Sequence, residues 1–294
     1  MALNTQTTMQ HTLKILYRGT LASCNYACSY CPFAKRQDTR TQLAQDKAEL
    51  ERFVAWAIAY PQPLAVLFTP WGEALIRRHY QHALHTLSHA PLLERVAIQT
   101  NLSAPLTWLR DCNAQTLALW CTFHPSQISL TRFLAKCDWL LQHSIRFSVG
   151  MVGNRAELPI AERLRAQLPP HIYLWINANR DEQAAYTTSD LVRWTAIDPL
   201  FPHNLHLYPS RGKTCYAGTQ VLSVAGDGTV QRCHFVKPSL GNLYSGYTPA
   251  AAPCPNATCD CHIGYIHLPE LDLYRVYGTG LLERVPTGYL VNQG

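Results

Sequence analysis

Charge is scarce in this sequence: Asp, Glu, Lys and Arg make up only 15% of the 294 residues, whereas hydrophobic residues make up 47%. A chain so weakly charged and so apolar buries a core, which excludes extended disorder. Long apolar runs are also missing. The longest, Phe53 to Tyr60, falls far short of the roughly 20 residues that cross a bilayer, so no membrane span is expected. Met1 to Gln10 has neither the basic start nor the apolar stretch of a secretory leader, and export is not expected. There is no long basic run either; the net charge of +6 is spread along the chain, mildly favouring an acidic partner and arguing only weakly for nucleic acid. Internal repeats and low-complexity tracts are absent. Cysteine, by contrast, is plentiful. Eleven cysteines without a leader point to a reducing compartment, the cytoplasm, where thiols serve metals or catalysis and are seldom paired as disulfides.

Apolar strand-like runs alternate with segments of helical period to about residue 200, a pattern that predicts an α/β fold with a parallel sheet and helices packed outside it. The strand candidates are Leu13 to Tyr17, Leu64 to Thr69, Val96 to Thr100, Leu117 to Cys121, Arg146 to Gly150 and Ile172 to Ile176, giving six βα units. A helix is predicted over Gln42 to Tyr60, with Leu43, Leu50, Val54 and Ile58 inward and Asp46, Lys47, Glu49 and Glu51 largely outward. After Pro209 the pattern changes. Gln220 to Ala225 and Thr229 to Phe235 read as strands joined by Gly226-Asp227-Gly228, a hairpin that opens a small second domain. The expected division is therefore 11–205 and 206–294. Pro253 to Cys261 has little periodicity and needs something other than a core, such as a metal, to hold it.

Cys24, Cys28 and Cys31 lie in the loop after the first strand, spaced by three residues and then two. Composition alone would place three cysteines at one chosen spacing about 0.015 times in such a chain. Three thiolates hold three irons of a cubane and leave the fourth iron open to a small ligand, whereas an electron-transfer cluster usually takes four cysteines. The competing readings are a zinc loop with its fourth ligand elsewhere, or idle thiols.

The stretch Cys24-Asn25-Tyr26-Ala27-Cys28-Ser29-Tyr30-Cys31 resembles the signature of the radical S-adenosylmethionine (SAM) enzymes, including the aromatic Tyr30 before the last cysteine. The resemblance extends over roughly Leu13 to Asn177. It implies a partial (βα)6 TIM-like barrel with a 4Fe-4S cluster and SAM at the C-terminal ends of the strands, where barrel chemistry sits. It further implies reductive cleavage of SAM to a 5'-deoxyadenosyl radical that abstracts hydrogen from a substrate, with electrons from a donor such as flavodoxin or ferredoxin. Within Thr69-Pro70-Trp71-Gly72-Glu73, Gly72 and Glu73 match the family's Gly-Gly-Glu stretch, and Trp71 replaces the first glycine. Gln99-Thr100-Asn101 resembles the family's Thr-Asn-Gly stretch, with Leu102 where glycine is usual. The same resemblance makes Tyr30, Thr122, Gly150 and Asn177 SAM contacts. Arg18 and Arg180 read as solvated charges, His79, His82, His85 and His89 as one helix face, and Cys112, Cys121 and Cys137 as small buried hydrophobes.

Cys215, Cys233, Cys254, Cys259 and Cys261 crowd the C-terminal region. Twelve residues between Cys215 and Gly228 and four more before Cys233 resemble the start of the twitch or SPASM domain of peptide-modifying radical SAM enzymes. The resemblance implies one second 4Fe-4S cluster, without saying which thiol is spare; His262 is an outside candidate, and a zinc ribbon is the alternative. The expected function is radical modification of a peptide or protein side chain. Modification of RNA, a nucleotide or a small metabolite stays open, as does a non-catalytic iron-sulfur or zinc-binding protein.

Overall fold

The computed structural model describes residues 12–31, 33 and 36–290; the reading of Met1 to Gln10 lies outside the described residues. Its first six strands are β1 (Leu13–Arg18), β2 (Leu64–Phe68), β3 (Leu93–Thr100), β4 (Leu117–Thr122), β5 (Arg146–Gly153) and β6 (Leu174–Ala178), each within a few residues of its sequence candidate. All five residues of β2, LAVLF, are buried, as befits a parallel strand covered on both faces. Five helices accompany them: α1 (Arg40–Ala59), α2 (Arg78–Ser88), α3 (Leu130–Gln142), α4 (Leu158–Gln167) and α5 (Thr188–Ile197). The expectation of six regular βα units needs correction, because β3 and β4 are joined through a single 3-10 turn, Thr107–Asp111. Pro105 and the short polar stretch Asp111 to Gln115 leave no room there for an apolar helical face.

The C-terminal region adds β7 (Tyr208–Pro209), β8 (Val221–Ala225), β9 (Thr229–Gln231), β10 (Ser239–Asn242), β11 (Gly246–Tyr247), β12 (Thr258–Cys259) and the short helices α6 (His262–Tyr265), α7 (Leu273–Tyr277) and α8 (Thr287–Leu290). The predicted hairpin is present as β8 and β9, and Gly228 takes φ 87°, a turn conformation natural to glycine. It is not set apart from the barrel strands. β8 pairs in parallel with β1, so one ten-stranded sheet runs β11-β10-β9-β8-β1-β2-β3-β4-β5-β6 and crosses residue 205 without a break. The sheet is mostly parallel and does not close.

Strand alternation divides the core in two. Ile15, Tyr17, Val66 and Phe68 face the helices, with Tyr17 and Phe68 packing on Phe53 of α1 and Phe68 also on Tyr80 of α2. Leu16, Ala65, Leu67, Ala118, Trp120 and Trp175 face inward, where the chain from Ile263 to Leu282 fills the concave side. Glu283 ends this insertion. Fully buried, it lies 3.3 Å from both Arg95 of β3 and Arg146 of β5.

Helix α1 begins as expected, with Thr39 and Gln42 forming a capping box. Its inward face differs from the sequence reading: Asp46, Leu50, Phe53 and Ala57 are buried, whereas Ile58 is exposed. The buried carboxylate has three donors, the Leu21 amide, the His79 ring and the Tyr80 hydroxyl, which together offset its desolvation. His79 therefore serves Asp46. Cys112, Cys121 and Cys137 are buried, as expected. No described helix is long and apolar enough to cross a membrane.

Candidate functional site

Two carboxylates fix the loop that leaves β1. Asp46 accepts from Leu21 N at 2.9 Å, and Asp38 accepts from Ala22 N, Ser23 N and Ser23 Oγ at 2.7 to 2.9 Å. Although burial raises the Asp38 pKa, the hydrogen bonds from Ser23 and Ala22 outweigh it and hold it below the usual value. Cys24, Cys28 and Cys31 follow, with Cys31 N donating to Cys28 O at 3.2 Å. Burial raises the Cys24 thiol and pushes Cys28 up to about 11. Both are protonated at neutral pH, so a metal must displace their protons to bind.

Gly72 has a steric reason to be glycine. A Cβ there would lie 1.8 Å from Ser23 O, because the turn after β2 packs directly on the loop bearing Cys24. Glu73 N donates to the same carbonyl at 3.2 Å. The buried Glu73 carboxylate accepts from Leu75 N, Thr100 Oγ1 and Asn101 N at 3.0, 2.8 and 2.6 Å, yet burial still raises its pKa. Asn101 Nδ2 then reaches Cys24 Sγ at 3.7 Å. Trp71 has no left-handed backbone and lies with its ring 4.4 Å from the Arg18 guanidinium, so glycine is not demanded there. Leu102 does take φ 57°, the left-handed region natural to glycine; full burial and a bond from its N to Thr100 Oγ1 hold it there.

These groups share one cavity of about 610 Å³, within the usual range for small-molecule sites. Cys24, Cys28, Cys31, Tyr30, Gly72 and Glu73 line it from the β1 and β2 loops. Asn101, Thr122 and Asn177 line it from the ends of β3, β4 and β6. Gly150 alone among the expected SAM contacts does not line it. A Cβ on Gly150 would lie 2.0 Å from the Trp175 ring, so this glycine makes room for Trp175, and Trp175 forms the wall. Arg284 bonds Asn177 Oδ1 at 2.8 Å and stacks 4.5 Å from Trp175, steadying that side of the cavity from the distant C-terminal segment.

The C-terminal cysteines separate into two groups. Cys215, Cys233, Cys254 and Cys259 line a second cavity of about 210 Å³, whereas Cys261 lines the first. Burial raises Cys215, Cys233 and Cys259, with neighbouring thiols adding to the effect at Cys233 and Cys259. Among the described residues no three His, Cys, Asp or Glu side chains converge closely enough for a single ion. The His79 to His89 series does not gather either.

No protein-family model matches the sequence, and no curated protein matches it significantly. The architecture does find matches. The solved structure of anSMEcpe with bound AdoMet and Kp18Cys peptide aligns at TM-score 0.55 and 13% identity, covering 80% of this chain and 78% of that one. The same protein with AdoMet and Cp18Cys peptide aligns at TM-score 0.53 and 14% identity, again over 80% and 78%. The chain therefore shares the fold of these structures, an α/β sheet of mostly parallel strands that does not close.

Within that fold, the loops from β1, β2 and β3 and the ends of β4 and β6 meet around one cavity at the C-terminal end of the sheet. Several cavity residues had no sequence signal strong enough to single them out. His124 bonds Tyr30, His234 bonds Thr69 Oγ1 at 3.0 Å, and Trp120, Trp175 and Asn204 form wall. Arg18 and Arg180, read as solvated charges, also line the cavity, and burial lowers Arg18 to about 10. His262 lines it too, with burial and Arg284 keeping its pKa well below the ordinary value.

Proposed function

We propose that this chain is a radical SAM enzyme that modifies a peptide or protein side chain. The observation that carries the proposal is the meeting of three thiols, Glu73 and Asn101 around one cavity at the C-terminal end of a parallel sheet. The donor set fits a 4Fe-4S cluster: Cys24, Cys28 and Cys31 supply three soft ligands and leave one iron for SAM. When bound, the cluster supplies the electron that cleaves SAM to methionine and a 5'-deoxyadenosyl radical, which takes hydrogen from the substrate.

The remaining work belongs to the chain. Glu73 has about four acceptor sites and spends three on protein donors, leaving one for the ammonium group of SAM. Tyr30, Gly72, Asn101, Thr122 and Asn177 complete the SAM contacts, and Gly150 contributes by seating Trp175. Trp120 and Trp175 wall the cavity against water, which protects a reactive radical.

Cys215, Cys233, Cys254 and Cys259 hold a second 4Fe-4S cluster in this reading, and Cys261 is the spare thiol. Four sulfurs around an open volume suit a cubane better than a tetrahedral zinc, whose thiolates lie about 2.3 Å from one ion. The residues of 11–205 would then generate the radical, while 206–294 would hold the second cluster and help bind substrate. Support for a peptide substrate is the alignment with anSMEcpe, which was solved with bound peptides. The electron donor is a small acidic carrier of the flavodoxin or ferredoxin class, matched to a net charge of +6, and the setting is the cytoplasm.

Anaerobically reconstituted protein given SAM and dithionite forms 5'-deoxyadenosine on this proposal, and Cys28→Ala abolishes it. Cys233→Ala lowers bound iron while Cys261→Ala does not. Zinc at the first triad, or turnover that survives Cys28→Ala, overturns the reading.

A further inference from the structure

Arg232 stands between two of the four thiols at the smaller cavity. It precedes Cys233 in the chain, and its Nη1 donates at 2.9 Å to the carbonyl of Pro253, the residue before Cys254. The residue is only 5% exposed and lines the cavity together with Cys215, Cys233, Cys254 and Cys259. Its Nη2 is buried and has no partner among the described residues. We propose that Arg232 Nη2 donates a charged hydrogen bond to sulfur of the second cluster, and that this cation raises the reduction potential of that cluster. The inference rests on the reading of those four cysteines as cluster ligands.

The reason lies in the charge balance of the cavity. A guanidinium is a permanent cation with donors and no acceptor, so the one thing its unpaired N–H can meet is an acceptor. Burying such a charge is costly unless a counter-charge is at hand. Four thiolates outweigh the positive charge of an iron-sulfur core, so the ligated cluster is an anion, and its sulfur offers acceptor and counter-charge at once. Among the described residues Arg232 is the one arginine or lysine that lines this cavity. Asp260, the other charged residue there, is exposed, and water screens it. Hydrogen bonds to an ionised acceptor are about twice as strong as neutral ones. Positive charge and donors directed at the sulfurs favour the reduced, more negative cluster, and so raise its potential.

The test uses the full chain carrying Cys24→Ala, Cys28→Ala and Cys31→Ala, so that only the second cluster loads, with iron and sulfide measured on every reconstituted sample. In an EPR-monitored redox titration, Arg232→Gln, which keeps an N–H for the Pro253 carbonyl and removes the charge, lowers the equilibrium constant for reduction roughly tenfold, the effect of one charged hydrogen bond, or about 59 mV for one electron. Arg232→Lys returns the charge and recovers most of the loss. Should either variant load less iron, the parent that retains Arg232 still reads the contact: grown with arginine isotopically labelled at the guanidino nitrogens, its reduced cluster shows a hyperfine coupling to that label in pulsed EPR. A parental potential in fully loaded Arg232→Gln, equal potentials in Arg232→Gln and Arg232→Lys, or a loaded parent without coupling to the label overturns the inference. A parent that takes up no iron overturns instead the second-cluster reading beneath it, and the iron content tells the two failures apart.

Discussion

At the scale of single residues, the site depends on where side chains are absent as much as on where they reach. Gly72 allows two loops to approach until only a hydrogen atom fits between its α-carbon and Ser23 O. Gly72→Ala must push these backbones apart, and the displaced loop carries Cys24. Iron loaded at the first triad should therefore fall well below the wild-type level, while the far-ultraviolet circular dichroism, reporting the sheet, stays unchanged; full loading of a folded variant would contradict the close-approach argument. Leu102 shows the opposite solution. Its left-handed backbone costs about 1–2 kcal/mol, and its fully buried side chain returns about 1.5–3 kcal/mol, so the motif keeps its shape without glycine.

At the scale of elements, the triad loop is a tethered segment. Asp38, just before α1, and Asp46, within it, hold Leu21, Ala22 and Ser23 by their amides. Asp38 has a lowered pKa in the folded protein, so its stabilising contribution is present above the unfolded carboxylate value and is lost as pH falls through the lower folded value. Amide exchange at Ala22 and Ser23 in the metal-free protein should accordingly lose protection on acidification below about pH 4. Asp38→Ala should lack that protection at neutral pH as well. Protection that is identical in both proteins at pH 7 would remove Asp38 from this role. The same logic explains the misread face of α1: periodicity assigns an aspartate to solvent, but Asp46 is repaid for burial by three donors from elsewhere in the chain.

At the scale of the whole molecule, the C-terminal segment completes the structure. It fills the concave face of the sheet and brings Glu283 between Arg95 and Arg146, two charges with little contact with water. Burial raises the Glu283 pKa, while both arginines oppose the rise. Glu283→Gln keeps the shape but leaves both arginines without a counter-charge, a change that costs about 3–5 kcal/mol in buried pairs. At about 2–4 °C per kcal/mol, thermal unfolding should drop by on the order of 10 °C. A shift of a degree or two would show that water reaches these arginines. Arg284 follows immediately and contacts Asn177, so the same variant should also weaken SAM binding.

The parallel strands, and the placement of Cys24, Glu73 and Asn101 just beyond them, were legible because each is written in consecutive residues: a strand of buried side chains and a loop at its end. The hairpin from Val221 was legible for the same reason, through Gly226-Asp227-Gly228. By itself the sequence determined a cysteine loop after a first strand and an α/β alternation. Only the tertiary structure decided that the hairpin joins the barrel sheet, that Gly150 makes way for Trp175, that four C-terminal thiols share one cavity while Cys261 faces another, and that His124 stands beside Cys28. Those outcomes depend on contacts between residues up to about a hundred or more positions apart, set by packing over the entire sheet, and no local spacing encodes them.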